Sequence, residues 1–422
     1  MAYKVHLATH NIPQFYILNQ SPQMRRIQNI SIQIRGILSI TLLRALSGAL
    51  LSPIIALYIK QFVKTNFLVS LILTFSYLIS VIAVIYGSFL IEKLQKRKTM
   101  MLALIGYSVV LLFFAANTTS SGMIFFFIIY SLLFSLLQLN ISLYIDHFSN
   151  KKNLATNFGR NGVLGNIGWI VGPILGGLLA QQLSFIEVFL LSSLFAFLAL
   201  VIFVFSEPPE HLRHKQTHHH VHIRQNLVGF FKNRFLRSMY INSLGFNIMY
   251  GSMFLAPLFF KELGADITLI GFFMGFMALP WIILEIPIGK IVDKKHNEKK
   301  FFIIGYTLLL FALILFGLTK NYYIAFAFLF LTSISTSFIE QTIYPLFYRY
   351  VPETAVPLTS VFLTNSGFGL FLGTLISTIA LTFLGLGTFY VLLGVGMIFF
   401  IINALRIHPE KITVDSLTGS RR

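Results

Sequence analysis

Gly168-Trp169-Ile170-Val171-Gly172 is one of two copies of a pattern; the other is Gly369-Leu370-Phe371-Leu372-Gly373, 201 residues further on. Each copy sits inside a long apolar segment. The same spacing of 201 relates Glu92-Lys93 to Asp293-Lys294, where an acid follows an apolar stretch and opens a short basic loop. Two independent landmarks with one spacing imply duplication, so the 422 residues read as two similar halves. Parallel repeats of this kind in a membrane enclose a substrate path between them, which points to a carrier.

Composition agrees with a membrane protein. Hydrophobic residues make up 56% of the chain and charged ones 11%, with 45 phenylalanines, too little polar surface to cover a soluble body of this size. The charges crowd into short connectors between apolar stretches, each long enough to cross a hydrocarbon core of about 30 Å as a helix. Twelve such stretches are expected: 36–59, 66–91, 99–116, 122–145, 158–181 and 184–205, then 238–260, 267–292, 301–318, 322–346, 356–383 and 386–406. The expected fold is an all-α membrane protein of two six-helix pseudo-repeats, 36–205 and 238–406. A tail of 1–35, a linker of 206–237 and a tail of 407–422 complete the chain.

Charge placement orients the helices. One set of connectors collects Arg25, Arg26, Arg35, Lys93, Lys96, Arg97, Lys98, Lys151, Lys152 and the run from Lys290 to Lys300, while the other keeps only Lys60, Lys64, Lys261 and Lys320. The positive-inside rule then places both termini in the cytoplasm of a cell membrane, of the bacterial inner-membrane type. The net charge of +18 is a topology signal and an attraction to anionic lipid; nucleic acid is not an expected partner.

The absence of cysteine excludes disulfides and thiolate metal sites. Residues 1–35 lack the apolar core and cleavage site of a signal peptide and read as a cytosolic tail. In the linker, Ile223, Leu227, Phe230, Phe231 and Phe235 are spaced for an amphipathic helix lying on the inner leaflet. The same linker holds His211, His214, His218, His219, His220 and His222. Imidazoles this close can hold zinc, nickel or copper, but they also suit a solvated linker, and no metal or cofactor is expected.

The fifth apolar stretch carries the strongest local signature. Gly159, Gly168, Gly172, Pro173, Gly176 and Gly177 fit glycine, eight residues, glycine, three residues, Gly-Pro, two residues, Gly-Gly. This resembles the antiporter motif of the major facilitator superfamily. Glycines at four-residue spacing make a flat face that a neighbouring helix can approach closely, and a proline removes a backbone donor and bends the helix. The second half has Thr374 where the proline would stand, so Gly373 is expected to tolerate a side chain better than Gly172. Other signatures of that superfamily are partial. Its loop signature, G-x-L-A-D-R-x-G-R-K, is similar to Ser88-Phe89-Leu90-Ile91-Glu92-Lys93-Leu94-Gln95-Lys96-Arg97, with both glycines replaced, and to Gly289-Lys290-Ile291-Val292-Asp293-Lys294-Lys295. The resemblance implies that Glu92, Lys93, Asp293 and Lys294 latch the halves on the cytoplasmic side. The fourth-helix arginine of many proton-coupled drug exporters is missing; residues 122–145 carry no charge.

Charge inside the membrane is costly, about 2.5–3.5 kcal/mol on insertion scales, so each instance is a candidate site. Arg44, Glu285 and Glu340 qualify, and they are the proton-coupling candidates. Glu340 shares a stripe with Ser333, Ser337 and Tyr344 at helical spacing, and a desolvated carboxyl is suited to exchange protons. Glu285 precedes Ile286-Pro287-Ile288-Gly289, a phrase that resembles an element of several exporters, including sugar efflux transporters. The resemblance implies that the first, fourth, seventh and tenth helices line the cavity, which makes Ser135, Gln138, Asn247, Tyr250, Ser337 and Tyr344 the expected lining. No metalloprotease, nucleophile-elbow or phosphate-loop motif is present, so neither an enzyme nor an ATP-driven pump is expected. The expectation is a monomeric carrier that exports drug-like or amphipathic small molecules against inward proton movement. The alternatives are a carrier for sugars or other small polar metabolites, and a non-transporting receptor on the same fold.

Overall fold

The computed structural model describes residues 22–148, 154–206, 223–295, 298–351 and 356–407. The helices are α1 (Pro22–Leu51), α2 (Ile55–Phe62), α3 (Asn66–Leu94), α4 (Lys96–Ala116), α5 (Ser120–Phe148), α6 (Leu154–Gln182), α7 (Phe185–Phe205) and α8 (Ile223–Lys232). They continue as α9 (Arg234–Ser252), α10 (Ala256–Glu262), α11 (Ile267–Phe276), α12 (Leu279–Lys295), α13 (Glu298–Leu318), α14 (Tyr322–Tyr350), α15 (Val356–Leu381) and α16 (Leu386–Leu405). Twelve crossings are long and apolar enough to span a bilayer. A short helix, α8, lies within the linker, Phe235 of the expected pattern belongs to α9, and the six linker histidines lie outside the described residues.

Short connections force successive crossings to run in opposite directions. The turns at 63–65, 117–119, 183–184, 263–266, 319–321 and 382–385 therefore share one face, here the loop face. The chain ends and the connection from α7 to α8 share the other, the terminus face.

Three crossings expected as single helices are broken, each beside a proline. The first breaks between α1 and α2 at Pro53, the seventh passes through a 3-10 turn, Met253–Leu255, ahead of Pro257, and the eighth breaks at Met277-Ala278 ahead of Pro280. Proline cannot donate to the preceding turn and crowds the carbonyl four residues back. In lipid that carbonyl still needs a donor. Ala49 O, four residues before Pro53, takes the Ser52 N–H at 3.1 Å and the Ser52 hydroxyl at 2.9 Å. By contrast α6 continues through Pro173 to Gln182, so the expected bend there does not break the helix.

Within each half the helices meet through small residues and hydroxyls. A Cβ built on Gly168 would fall 2.6 Å from Ala45 Cβ and 2.9 Å from Leu46 N, and one on Gly172 would fall 2.6 Å from Ala49 Cβ. Gly176 meets the Leu50 carbonyl. Hydroxyl pairs add polar contacts, Ser47 with Ser192 at 2.9 Å and Ser108 with Ser193 at 3.0 Å. In the second half, Gly369 meets Asn247, Gly373 meets the Ile248 carbonyl, and a Cβ on Gly251 would lie 2.6 Å from Leu370 O. So α15 packs on α9 as closely as α6 packs on α1, and the expected tolerance of Gly373 is corrected. The close approach comes from the glycines themselves and does not require the proline.

The two halves join along two seams. On one, Gly177 meets Gly271, whose built Cβ would lie 2.5 Å from Pro173 O, and Gly275 meets Ile170 O at 2.5 Å. On the other, the Thr378 hydroxyl donates to Ser70 Oγ at 2.8 Å, Thr74 and Thr378 hydroxyls pair at 3.0 Å, and Ser70 donates to Thr374 O at 3.1 Å. Asn66 Nδ2 donates to Glu262 Oε1 at 2.7 Å and Ile267 N to Gln181 Oε1 at 3.3 Å. All these bonds sit toward the loop face.

The turn from α3 to α4 stores strain. Gln95 stands where the loop signature has its second glycine, and its backbone lies at φ 68°, ψ 142°, a region that a side chain makes costly by about 1–3 kcal/mol. Gln95→Gly should therefore raise the detergent melting temperature, with a gain of about 1 kcal/mol after the extra unfolded-state freedom of glycine is subtracted. An unchanged or lower melting temperature would contradict this. Gly172→Val and Gly373→Val should each destabilise by about 1–3 kcal/mol through overpacking. Gly396→Val, where a Cβ meets nothing within 4 Å, should be close to neutral in the same melting assay. A tolerant Gly373→Val would overturn the packing account.

Candidate functional site

A cavity of about 420 Å³, counting the part open to solvent, lies between the halves. Its walls are Ser52, Trp169, Tyr250, Met253, Phe254, Met274, Met277, Ala278 and Trp281. The helix breaks shape it: Ser52 comes from the gap between α1 and α2, Met253 and Phe254 from the 3-10 turn, and Met277 and Ala278 from the gap between α11 and α12. Trp169 and Trp281 are the chain's two tryptophans, one from each half. Trp281 is held in place by Nε1 donating to Thr336 Oγ1 at 2.9 Å. Tyr250 packs against Trp281 at 5.8 Å and against Phe254 at 5.9 Å between ring centroids. Tyr77, from the other half, packs on Phe254 at 5.3 Å. Aromatic faces and methionine sulfurs make a polarisable wall that suits flat or amphipathic molecules.

One carboxyl stands beside this wall. Glu340 is half-buried on α14 and within electrostatic reach of Tyr250. One turn earlier on the same helix, Thr336 and Ser337 donate to Ser333 O at 3.0 and 2.9 Å, while the buried Ser333 hydroxyl itself finds no partner. Ser333 and Ser337 are buried on that helix and do not edge the cavity. The side chain of Tyr344 lies outside the described residues, as does that of Glu285.

Arg44 is not among the residues that line the cavity. Its side chain is 8% exposed, and its guanidinium lies 4.7 Å from the Phe134 ring centroid, with Tyr107 and Tyr130 in electrostatic reach. Those two rings stack at 5.4 Å. Nε and Nη1 are buried without hydrogen-bond partners. Each unsatisfied donor costs about 1–3 kcal/mol, only partly offset by the cation–π contact.

Of the expected lining residues whose side chains are described, Tyr250 alone stands on the cavity wall. Asn247 donates to Ser243 O at 2.8 Å and to Asn365 Oδ1 at 2.9 Å, and Ser243 donates to the same Asn365 oxygen at 2.6 Å. Its amide therefore ties α9 to α15. Ser135 is buried and donates to Ser131 O at 2.9 Å, and Gln138 is exposed on α5. Neither belongs to the cavity wall. At the terminus face, Lys93 is exposed; the side chains of Glu92, Asp293 and Lys294 lie outside the described residues, and Gly159 stands in α6 with its contacts outside them as well. Sequence reasoning missed Trp169, Trp281 and the three methionines. The available signal was that Trp281 follows Pro280 directly, at a helix break that exposes its ring.

A family model described as Major Facilitator Superfamily matches residues 37–374. Among solved structures of similar fold is a POT family transporter in complex with 5-aminolevulinic acid, at 13% identity, covering 90% of this chain and 96% of that one, with a TM-score of 0.72. A peptide transporter POT variant in complex with alafosfalin follows at 12% identity, 89% and 93% coverage and a TM-score of 0.71. A variant of the nucleoside transporter NupG matches at 13% identity, 89% and 99% coverage and a TM-score of 0.74. At these identities the likeness concerns the fold alone. No curated protein matches the sequence. The chain belongs to the Major Facilitator Superfamily: it is a multi-pass membrane protein with the fold of a secondary transporter, not an enzyme.

Proposed function

We propose that this major facilitator carrier exports amphipathic, drug-like small molecules against inward proton movement, acting as a monomer in a cell membrane with both termini cytoplasmic. The observation that carries this reading is the aromatic and methionine-rich cavity between the halves, with Glu340 beside Tyr250. A sugar or other polar metabolite is favoured less. The amide and hydroxyl groups that would hold it, Asn247, Ser243 and Asn365, bond one another across α9 and α15. The orientation rests on the surplus of basic residues at the terminus face. In that orientation the loop-face bonds of Asn66, Ser70, Thr74 and Gln181 close the outer side, so the cavity belongs to an inward-facing state. Alternating access then requires these bonds to open while the terminus face closes.

Glu340 is the proton site in this scheme. A bound amphipathic cation that neutralises the Glu340 carboxylate competes with a proton for the same group. That competition is what exchange requires. Arg44 is a second coupling candidate, argued from its unpaired buried nitrogens. It lies against Phe134, Tyr107 and Tyr130 and does not line the cavity, so in this reading it acts through the packing of α4 and α5.

In proteoliposomes with an imposed pH gradient, Glu340→Gln should abolish gradient-driven accumulation of a lipophilic dye while expression and melting stay at wild-type levels. Wild-type accumulation ratios would remove Glu340 from the mechanism. Arg44→Met should melt at or above the wild-type temperature, because it deletes unpaired buried donors, and should lower the pH dependence of flux. A variant that melts lower yet keeps the wild-type pH profile would make Arg44 a structural residue only. Ala278→Phe fills the cavity and should weaken dye binding about tenfold or more, by loss of contact area of the order of one side chain; unchanged binding would place the substrate elsewhere.

A further inference from the structure

At the terminus face, α8 and the first turn of α9 form a corner with its own chemistry. Phe230 is fully buried and meets Tyr240 at 6.0 Å, and Phe231 meets the same ring at 5.1 Å, so α8 is pinned to α9. Leu227 and Val228 nevertheless stay exposed, as does the outer side of Phe231. Beside them Lys232, Arg234 and Arg237 are all exposed. Asn403 Nδ2 donates to Ser238 O at 2.9 Å, which brings the end of α16, with exposed Arg406, against the same turn.

Among the described residues, the helices packed at this corner, α8, α9, α15 and α16, hold no Asp or Glu. The sequence has no Asp or Glu between Glu210 and Glu262, nor between Glu353 and Glu410, so α8, α9, α15 and α16 cannot neutralise this corner. On α14, which meets α9 through Phe235 and Tyr350 at 5.5 Å, Arg349 is already paired with Glu298. A molecule that covers both features must carry an anionic, phosphate-like head next to an apolar body. Guanidinium groups match phosphate oxygens two at a time, and basic groups at a membrane surface attract anionic headgroups.

We propose that this corner is a binding site for anionic membrane lipid, with the headgroup phosphate held by Lys232, Arg234 and Arg237 and an acyl chain along Leu227, Val228 and Phe231. The site is independent of the transported substrate. It anchors to the membrane plane the segment that joins the two halves.

The test uses the delipidated full chain in detergent and native mass spectrometry with phosphatidylglycerol or phosphatidylcholine of identical acyl chains. The wild type should retain phosphatidylglycerol preferentially. The triple variant Lys232→Gln, Arg234→Gln, Arg237→Gln should bind it about tenfold more weakly or worse, given the strength of each basic contact at a membrane surface. A control triple of equal charge change, Arg35→Gln, Lys98→Gln, Lys300→Gln, should stay within about twofold of wild type. Equal losses in both triples, no loss in either, or equal retention of the two lipids would overturn the site. Displacement of the lipid by millimolar inorganic phosphate would identify free phosphate as the ligand and also overturn it. Phe231→Trp keeps the question answerable if the triple variant misfolds. Its fluorescence should be quenched more by brominated phosphatidylglycerol than by brominated phosphatidylcholine, and equal quenching would contradict the proposal.

Discussion

Where α6 meets α1, Gly168, Gly172 and Gly176 leave no room for a Cβ, and on its other flank Gly177 meets Gly271 at backbone distance. Inside a bilayer the lipid tails are as apolar as leucine, so burial of side chains gives little drive for one helix to prefer another. Contact at backbone distance replaces that drive with dispersion, and hydroxyl pairs such as Ser47 with Ser192 add direction. The same device recurs at Gly369 and Gly373 against α9. Both halves are therefore stiff bodies, and α6 is the element that belongs to one half while touching the other. Motion between the halves has to pass through this seam and its counterpart of small hydroxyls on α3 and α15.

Stiff halves alone would leave no room for cargo. The prolines supply it, because each break in the first, seventh and eighth crossings interrupts helical packing at a similar depth and lets Ser52, Met253, Phe254, Met277 and Ala278 edge a common space. The walls are apolar and polarisable, so the binding they offer comes mainly from contact area and is tolerant of detailed shape. In the proposed reading, the neighbouring carboxyl of Glu340 gives such a cavity a preference for charge and a link to protons. Arg44 sits in the opposite half under aromatic rings, and its desolvated nitrogens mark a second place where charge is kept at a cost.

Much of this architecture was legible from residues alone. The repeat landmarks, the apolar lengths and the charge asymmetry carry the twelve crossings, since a bilayer imposes helix length and loop charge directly. The glycine pattern of the fifth crossing foretold close packing. Its proline drew attention to the wrong feature, because Gly373 packs as tightly without one. The site was less legible. Helical spacing placed Asn247 and Ser135 on plausible faces, but spacing does not say which neighbour a side chain meets, and Asn365 lies far away in sequence from the Asn247 it binds. Trp169 and Trp281 look like ordinary apolar residues until the breaks at Pro53, Pro257 and Pro280 bring them to one space. Gln95 shows the reverse case: a replaced signature glycine reads as a weakened motif, whereas the backbone there still takes the glycine conformation.

The central claim is that the halves exchange access to one cavity by opening the loop face while closing the terminus face. The most direct measurement is pulsed electron paramagnetic resonance on two doubly spin-labelled forms, one labelled at Leu68 and Phe383 on the loop face and one at Lys93 and Lys290 on the terminus face, all exposed positions. With a lipophilic dye present and the pH lowered on one side of the membrane, the account predicts that the loop-face distance distribution gains a longer component while the terminus-face distribution gains a shorter one. Distances that stay fixed at both faces, or that lengthen together, would contradict it.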